Sequence, residues 1–533
     1  MGTYPEEIPV VIVGGGPAGL TTANLLCAYG VRCIVLERES APLNLPRAIV
    51  LDDEGLRTFQ VFGSDRTYVG KVAEGDGARY YDDAGTCFAV TGRGPRNYGF
   101  AKRHFINQPE LETELRDRLE AQSPGALRFS SEVVDIVQDR ESAIVSVRDA
   151  TGATHRIRTE WVLACDGGRS PIRERLGIAM SGSTYRQDWI VLDMLNDADH
   201  SNFSKFICSS ARPTVSVPAP RGGRRYEFMV LDGETREQVL EDAFLAELLK
   251  PYRALDAGDI VRKTVYTFHA RMAERFRAGR IVLLGDAAHL TPPFAGQGMN
   301  AGFRDAHNVA WKIACILRGG ASPAIVDTYE AERRKPAWDM IQLAVTMGNF
   351  IMPSGSEQIM FRDLLVKALE PFPNVRDYLI QMRFKPKPRY DAGLFLDIAN
   401  PVFEMSLVGE MIPQPAVTAG TGETMLDDHL GVGFALIGQG ERARDALSRL
   451  DRTSFLGLPL ARIDLDSMGR GAQGALRPCD RETSRPLLTH RDQILLIRPD
   501  RYCAAAVFPD MLDDALGRYE RMASADHLTR EPA

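Results

Sequence analysis

Val10-Val11-Ile12-Val13-Gly14-Gly15-Gly16-Pro17-Ala18-Gly19-Leu20, continued by a helical run through Tyr29 and by Arg32-Cys33-Ile34-Val35-Leu36-Glu37, decides how this chain folds. The first four residues are apolar without polar alternation, as a strand buried on both faces of a parallel sheet requires. Glycines follow at once, so the stretch reads as strand, tight turn, helix, strand. Gly14 permits the sharp turn, Gly16 leaves out the Cβ that would hold a pyrophosphate off the backbone, and Gly19 lets the helix close on the sheet. The helix N-terminus then presents free N–H groups and the positive end of its dipole to the phosphates. Glu37 ends the second strand about 20 residues on, where an acid accepts the hydroxyls of an adenosine ribose. A second GxGxxG, Gly469 to Gly474, runs into Ala475-Leu476-Arg477-Pro478 and cannot open a long helix, so it reads as a surface loop.

Working outward, 533 residues are too many for one core, and about three domains are expected. Net charge of −7 argues against a nucleic-acid surface and against an anionic membrane. Eight cysteines stand singly at 27, 33, 87, 165, 208, 315, 479 and 503, without a CxxC pair or metal-ligand spacing, so no metal is expected. No apolar run approaches the ~20 residues of a membrane span and no signal-peptide pattern precedes the first strand. A reducing cytoplasm is the expected location.

Beyond Glu37, Pro46 fixes the approach of Arg47, whose charge suits a pyrophosphate. A helix is expected from about Asp53 to Phe62, and another from Asn107-Gln108-Pro109-Glu110 with Leu111, Leu115 and Leu119 on one face. Residues 70–105 carry two short β-type runs. A buried strand, Trp161 to Cys165, delivers Asp166-Gly167-Gly168, a turn that lets backbone approach a ligand. The pattern is again β from about Ser183 to Phe268. A second strong motif follows: the buried strand Arg280 to Leu284, then Gly285-Asp286, then Pro292-Pro293-Phe294-Ala295-Gly296-Gln297-Gly298-Met299-Asn300 opening a helix. Asp286 can bind a ribityl hydroxyl, and the N–H groups of Gly298, Met299 and Asn300 can hold a flavin carbonyl. Past Pro353 the chain reads as helical and irregular, with Met382-Arg383-Phe384-Lys385-Pro386 as a connector, and strands alternate with helices again after about residue 400.

Taken in order, Gly14-x-Gly16-x-x-Gly19 with Glu37, Cys165-Asp166-Gly167 and Gly285-Asp286 resemble the class A flavoprotein aromatic hydroxylases of the para-hydroxybenzoate and phenol hydroxylase type. Pro46 to Ile49, Arg225 to Val230, Met382 to Pro386 and Arg498 to Arg501 are similar to stretches of the 3-(3-hydroxyphenyl)propionate hydroxylases among them. The loop Thr291 to Ala295 departs from that group's usual Met-Pro-Val-Trp-Gln, so the resemblance carries the class and not the substrate. It implies an α/β fold: a Rossmann-like FAD domain in two parts (1–182 and 273–350), an inserted substrate sheet (183–272, joined by 70–105), a helical connector (351–399) and a thioredoxin-like C-terminal domain (400–533). That domain lacks a CxxC, which puts a redox role in doubt. FAD is the implied cofactor, with Gln108 among its contacts, and NADH or NADPH the co-substrate. Oxygen would reach a small phenol through a flavin C4a-hydroperoxide. A homodimer is left open.

A phenol of pKa near 10 must lose its proton to react well, which calls for a base or a donor network. His269 and Tyr266, at the end of a β-type run leading into the Gly285-Asp286 strand, are the candidates, with Pro293 beside the reacting ring. Arg212, Arg221, Arg224 and Arg225 could each meet a substrate carboxylate, and the sequence does not choose among them. Three other readings stay open. The first is a hydroxylase of larger polycyclic phenols or polyketides. The second is a flavin-dependent halogenase, which needs a Trp-x-Trp-x-Ile-Pro stretch that Trp161, Trp189, Trp311 and Trp338 do not supply. The last is a non-catalytic FAD-fold binding protein.

Overall fold

Val10–Val13 is the centre of a six-stranded sheet whose order is 277–278, 281–283, 161–164, 10–13, 33–36 and 127–128. The computed structural model describes residues 4–351, 356–369, 371–372, 387–399, 403, 405–420, 422–466 and 474–525. Residues 467–473, which hold most of the second GxGxxG, and the Met382 to Pro386 connector lie outside these. Val10–Val13 pairs in parallel with Trp161–Ala164 on one side and Cys33–Leu36 on the other, and all twelve residues are buried. Burying such side chains stabilises by about 1.5–3 kcal/mol each for the larger aliphatic ones, which is why polar alternation is missing here. The helix Pro17–Ala28 starts with proline at its first turn and packs against the long helix Gly298–Leu317.

Eight strands form the second sheet, in the order 289–290, 260–273, 180–194, 223–229, 214–219, 204–207, 78–81 and 87–91. Residues from the 70–105 segment therefore join the inserted strands through a parallel pairing of Ala78–Tyr81 with Ser204–Ile207. At the opposite edge, His289 and Leu290 pair with Met272 and Arg271, so the sheet abuts the Gly285-Asp286 turn. Both faces of this sheet are covered. Tyr226, Phe228, Ile190 and Leu192 pack under the helix Asp242–Leu249, while Trp189, Phe206, Tyr80 and Val215 face the other way with Phe294. Side-chain alternation puts Arg225, Glu227 and Met229 on that second face.

The C-terminal unit has a five-stranded sheet, in which Phe434–Gly438 and Leu458–Asp464 run parallel around the helix Gly440–Arg449, and Ile494–Ile497 and Cys503–Val507 add antiparallel before the helix Leu512–Ser524. This βαβ then ββα arrangement is thioredoxin-like. Its cysteines are free thiols. Buried ion pairs fasten it to the unit built on the Val10–Val13 sheet. Arg498 makes two bonds to Glu332, at 2.9 and 2.7 Å, and two to Asp500, at 2.9 and 2.5 Å. Lys312 donates to the same Glu332 at 2.9 Å, and Asp427 accepts from both Arg57 and Arg501. The guanidinium of Arg498 also lies over the rings of Phe395 and Trp311, at 4.5 and 5.0 Å.

Candidate active site

A cavity of about 750 Å³ runs from the glycine turn after Val13 to the inner face of the eight-stranded sheet. At its first end Gly14 has φ +105°, and a Cβ there would stand 2.4 Å from the carbonyl oxygen of Cys165. A Cβ on Gly19 would meet the Gly14 oxygen at 2.0 Å, so this glycine is required by helix packing. Gly16 differs: a Cβ there meets no protein atom within 4 Å and projects into open space above the helix start. The strand and turn leave that space for something other than protein, and a pyrophosphate on the helix N-terminus fits it. Glu37 is held in place because its carboxylate accepts from Gly15 N at 2.6 Å and Glu39 N at 2.9 Å.

Across the cavity, the Gly285-Asp286 turn is anchored from beneath. Asp305 accepts from Gly285 N at 2.9 Å, pairs with His289 Nε2 at 2.7 Å and accepts from Arg333 at 2.8 Å. Burial alone would raise the Asp305 carboxyl, but His289 and Arg333 outweigh it and hold it well below the usual carboxylate range. Asp286 itself lines the cavity and is open to it, although protein surrounds it. Desolvation raises its carboxyl above the ordinary value, against the pull of His289 and Arg47. Asp166 lines the same wall; its Oδ2 accepts from Ile172 N at 3.2 Å while its buried Oδ1 has no partner among the described residues. Desolvation raises this carboxyl too. Gly298 and Met299 open the long helix with their N–H groups toward the cavity, ahead of the first intrahelical bond, Ala301 N to Gln297 O at 2.8 Å. The Asn300 side chain is used otherwise, bridging Asp52 N, Val50 O and Gly296 O.

The strap carrying Arg47 is gripped from two sides. Gln108 accepts from Ala48 N at 2.5 Å and donates to Glu112 at 2.7 Å, so its amide sets the strap as well as lining the cavity. Arg225 donates to the carbonyls of Arg47 and Pro46, and Arg262 to that of Pro46.

The sheet-lined end brings together Phe206, Val215, Val217, Arg103, Arg225 and Glu227, facing Pro293 and Phe294. Phe294 stands edge-on to Trp189 and Phe268, at ring separations of 6.0 and 5.7 Å. None of the four arginines considered from sequence is free. Arg212 pairs with Glu234, Arg221 with Glu110, Arg224 with Asp197 and Asp199, and Arg225 with Asp193 at 2.7 and 3.1 Å. Arg103, missed in the sequence, is the exception. Its one hydrogen bond among the described residues is a long 3.5 Å contact to Gly77 O, and burial lowers its pKa. Glu227, also missed as a site residue, lines the cavity; Arg225 is its one ion-pair partner among the described residues, at 3.9 Å.

His269 and Tyr266, expected beside the ring, do not line the cavity. Alternation puts His269 on the sheet face opposite Phe268, where its Nδ1 meets Thr184 Oγ1 at 2.9 Å. Tyr266 shares the face of Phe268 but lies farther along the strand, and its hydroxyl is taken by Arg262. The strand does reach the Gly-Asp turn, as expected, but through Arg271 and Met272.

Residues 7–344 match the FAD binding domain family, and residues 409–522 the HcaD C-terminal domain family. The chain is 37% identical over 509 residues to a 3-(3-hydroxy-phenyl)propionate/3-hydroxycinnamic acid hydroxylase 2 of Burkholderia vietnamiensis, covering 93% of each chain. It is 35% identical over 538 residues to the corresponding hydroxylase of Escherichia coli, covering 99% of this chain and 96% of that one. Among solved structures, the flavin-dependent monooxygenase PieE in complex with FAD and substrate superposes with TM-score 0.78 at 22% identity, over 97% of this chain and all of that one. Aklavinone-11 hydroxylase with FAD and aklavinone gives 0.76 at 23%, over 97% and 99%. The glycine turn, the anchored Gly-Asp motif and this similarity over nearly the whole length agree: the chain belongs to the FAD-dependent aromatic hydroxylases, monooxygenases of the class A flavoprotein family.

Proposed function

We propose that the substrate is a single-ring phenol carrying a short carboxylate chain, of the 3-(3-hydroxyphenyl)propionate kind, hydroxylated at the expense of NADH or NADPH. Arg103 carries this reading. A guanidinium in a cavity wall, desolvated and without a carboxylate partner among the described residues, is unfavourable unless a ligand supplies the anion. The names of the Burkholderia and Escherichia relatives point to the same substrate class.

FAD would be held by Gly14, Gly16, Gly19 and Glu37 at its adenosine and pyrophosphate end, by Arg47, Gln108 and Asp166 along its length, and by Asp286 with the helix start Gly298 to Asn300 at the ring. Bound there, it supplies the activated oxygen. The residues of this chain do the rest. Pro293 and Phe294 close the ring end with apolar surface, which keeps water from the reacting atoms. Phe206, Val215 and Val217 form the sheet face under the aromatic ring, and Arg103 sets its direction. Eight free cysteines and the need for NAD(P)H favour the cytoplasm as its location. No described helix is long and apolar enough to cross a membrane.

The test compares 3-(3-hydroxyphenyl)propionate with 3-ethylphenol, which has the ring and not the carboxylate. The acid should bind at least tenfold more tightly and drive NAD(P)H oxidation with catechol formation. Equal affinity of the two would refute the carboxylate reading. Gly16→Val should leave colourless protein, and a variant retaining stoichiometric flavin would displace the cofactor from this turn.

A further inference from the structure

We propose that Glu227 is the catalytic base that takes the phenolic proton, an inference that rests on the phenol-binding reading above. The strand Gly223–Met229 lies inside the substrate sheet, and its alternation delivers Arg225 and Glu227 to the cavity face. The two are not equivalent. Arg225 is spent on Asp193 and on the Pro46 and Arg47 carbonyls, whereas Glu227 makes no hydrogen bond among the described residues and its carboxylate opens into the cavity. Asp193, the other acid on this face, is locked by its bidentate pair with Arg225.

Position along the sheet suits a phenol held at its far end by Arg103. Glu227 pairs with Val215, whose strand-neighbour Phe206 is opposite Tyr80, so three inter-strand steps, roughly 14 Å, separate the Glu227 backbone from the strand Ala78–Tyr81, and Gly77, which Arg103 reaches, precedes that strand, about 10 Å along from Tyr80. Both side chains line the one cavity, so a phenol with a short acid tail can lie between them. The apolar side chains between them, Val215, Val217 and Phe206, line the bed for the ring.

The chemistry is a single proton transfer. The phenol O–H bond breaks, its electron pair stays on the oxygen, and the proton goes to a Glu227 carboxylate oxygen. After oxygen transfer, the hydroxylated carbon loses its proton to water as the ring rearomatises, and Glu227 returns its proton to the ring oxygen. An ordinary carboxylate is weaker than a phenolate by roughly five to six powers of ten in proton affinity. Two features narrow that gap. Desolvation raises the Glu227 carboxyl, with Asp193 adding to it and Arg225 opposing. The cations facing this space, Arg225 on the same strand, Arg47 on the strap and Arg103 at the other end, favour the phenolate product.

Ionisation of bound ligand tests this without turnover. The FAD-loaded enzyme is titrated with 3-ethylphenol and with 3-(3-hydroxyphenyl)propionate, each ¹³C-labelled at the hydroxyl-bearing carbon, whose shift reports phenol or phenolate. In the parent enzyme the phenolate fraction at a given pH should exceed that of free ligand at least tenfold, and Glu227→Gln should return it at least tenfold toward free ligand while flavin stays bound. Glu227→Met serves if the amide variant loses flavin. Equal ionisation in parent and variant, no enrichment of phenolate in the parent, or failure of both ligands to bind would each overturn the proposal. If the acid binds no better than 3-ethylphenol, the carboxylate reading falls by itself and 3-ethylphenol still decides Glu227.

Discussion

Two regions of this molecule bury charge, and they treat it in opposite ways. At the seam with the C-terminal unit, Arg498, Glu332, Lys312, Asp500, Arg57, Asp427 and Arg501 are each fully buried or nearly so and each is matched by an opposite charge. In the cavity, Arg103 has no carboxylate partner among the described residues, and Glu227 faces open space with Arg225 no nearer than 3.9 Å and no hydrogen bond among those residues. A paired buried charge contributes registry, because breaking the pair leaves the survivor stranded. An unpaired one is a standing cost to the fold, retained where a ligand completes it. Side by side, the regions show that partnership, rather than burial, separates a fastening from a binding site.

The largest expected effect falls on the seam. Arg498→Met removes both bonds to Glu332, which keeps Lys312, and both to Asp500, and stranding the buried Asp500 carboxylate costs about 3–5 kcal/mol. Denaturant unfolding should show that loss while flavin-site ligands, measured on the folded fraction, bind as before. A midpoint within experimental error of the parent would mean that the seam's pairing contributes nothing to stability.

The same substitution in the other region should behave in reverse. Arg103→Met takes away a desolvated cation with no carboxylate partner among the described residues, so the unfolding midpoint should hold or rise. What it should lose is carboxylate affinity, by about 1.5–3 kcal/mol for a charge-assisted hydrogen bond, or roughly 10- to 150-fold in Kd for 3-(3-hydroxyphenyl)propionate. Affinity for 3-ethylphenol should be unchanged. A fall in stability with no change in Kd would make Arg103 a structural residue.

How much of this is legible in the sequence follows from range of interaction. The glycine turn and Gly285-Asp286 are legible because strand, turn and helix start are contiguous, and Gly14, Gly16, Glu37, Gly285 and Asp286 line one cavity. The ends of the substrate sheet are also visible as β-type runs. Arg103 carries no local signal: it precedes His104-Phe105 in an irregular stretch, and its lack of a partner is a fact about distant residues. Glu227 is half legible. Alternation puts it on one face with Arg225, but both faces of that strand are buried, so the pattern does not say which of them is the cavity. His269 fails for the same reason in mirror image, since counting by twos from Phe268 puts it on the far face. The C-terminal seam is invisible locally, because Arg498-Pro499-Asp500-Arg501 finds Glu332 and Asp427 only after three separate stretches of chain have folded.

Acid sharpens the comparison further, since the two regions' glutamates should titrate with opposite consequences. Arg498 and Lys312 outweigh burial and hold Glu332 down to about 2 from 4.5, so its contribution to stability is present above pH 4.5 and is lost as pH falls toward 2. Glu227 is shifted the other way: its carboxyl is raised from 4.5 by desolvation. Below pH 4.5 it is protonated in both folded and unfolded chains and its titration has no effect. As pH rises from 4.5 through its folded value, the unfolded chain ionises first and stability falls. Glu227→Gln, neutral at every pH and nearly the same shape, should therefore match the parent in stability below pH 4.5. At neutral pH it should exceed the parent by about 0.5–2 kcal/mol, the scale of one stabilising substitution at a functional site. Ligand-free, flavin-loaded protein unfolded in denaturant at pH 4 and pH 7.5 gives the two differences. A Gln variant less stable than the parent at pH 7.5 would show that the Glu227 carboxylate is satisfied by the fold itself, and would move it from the cavity's class of charge to the seam's.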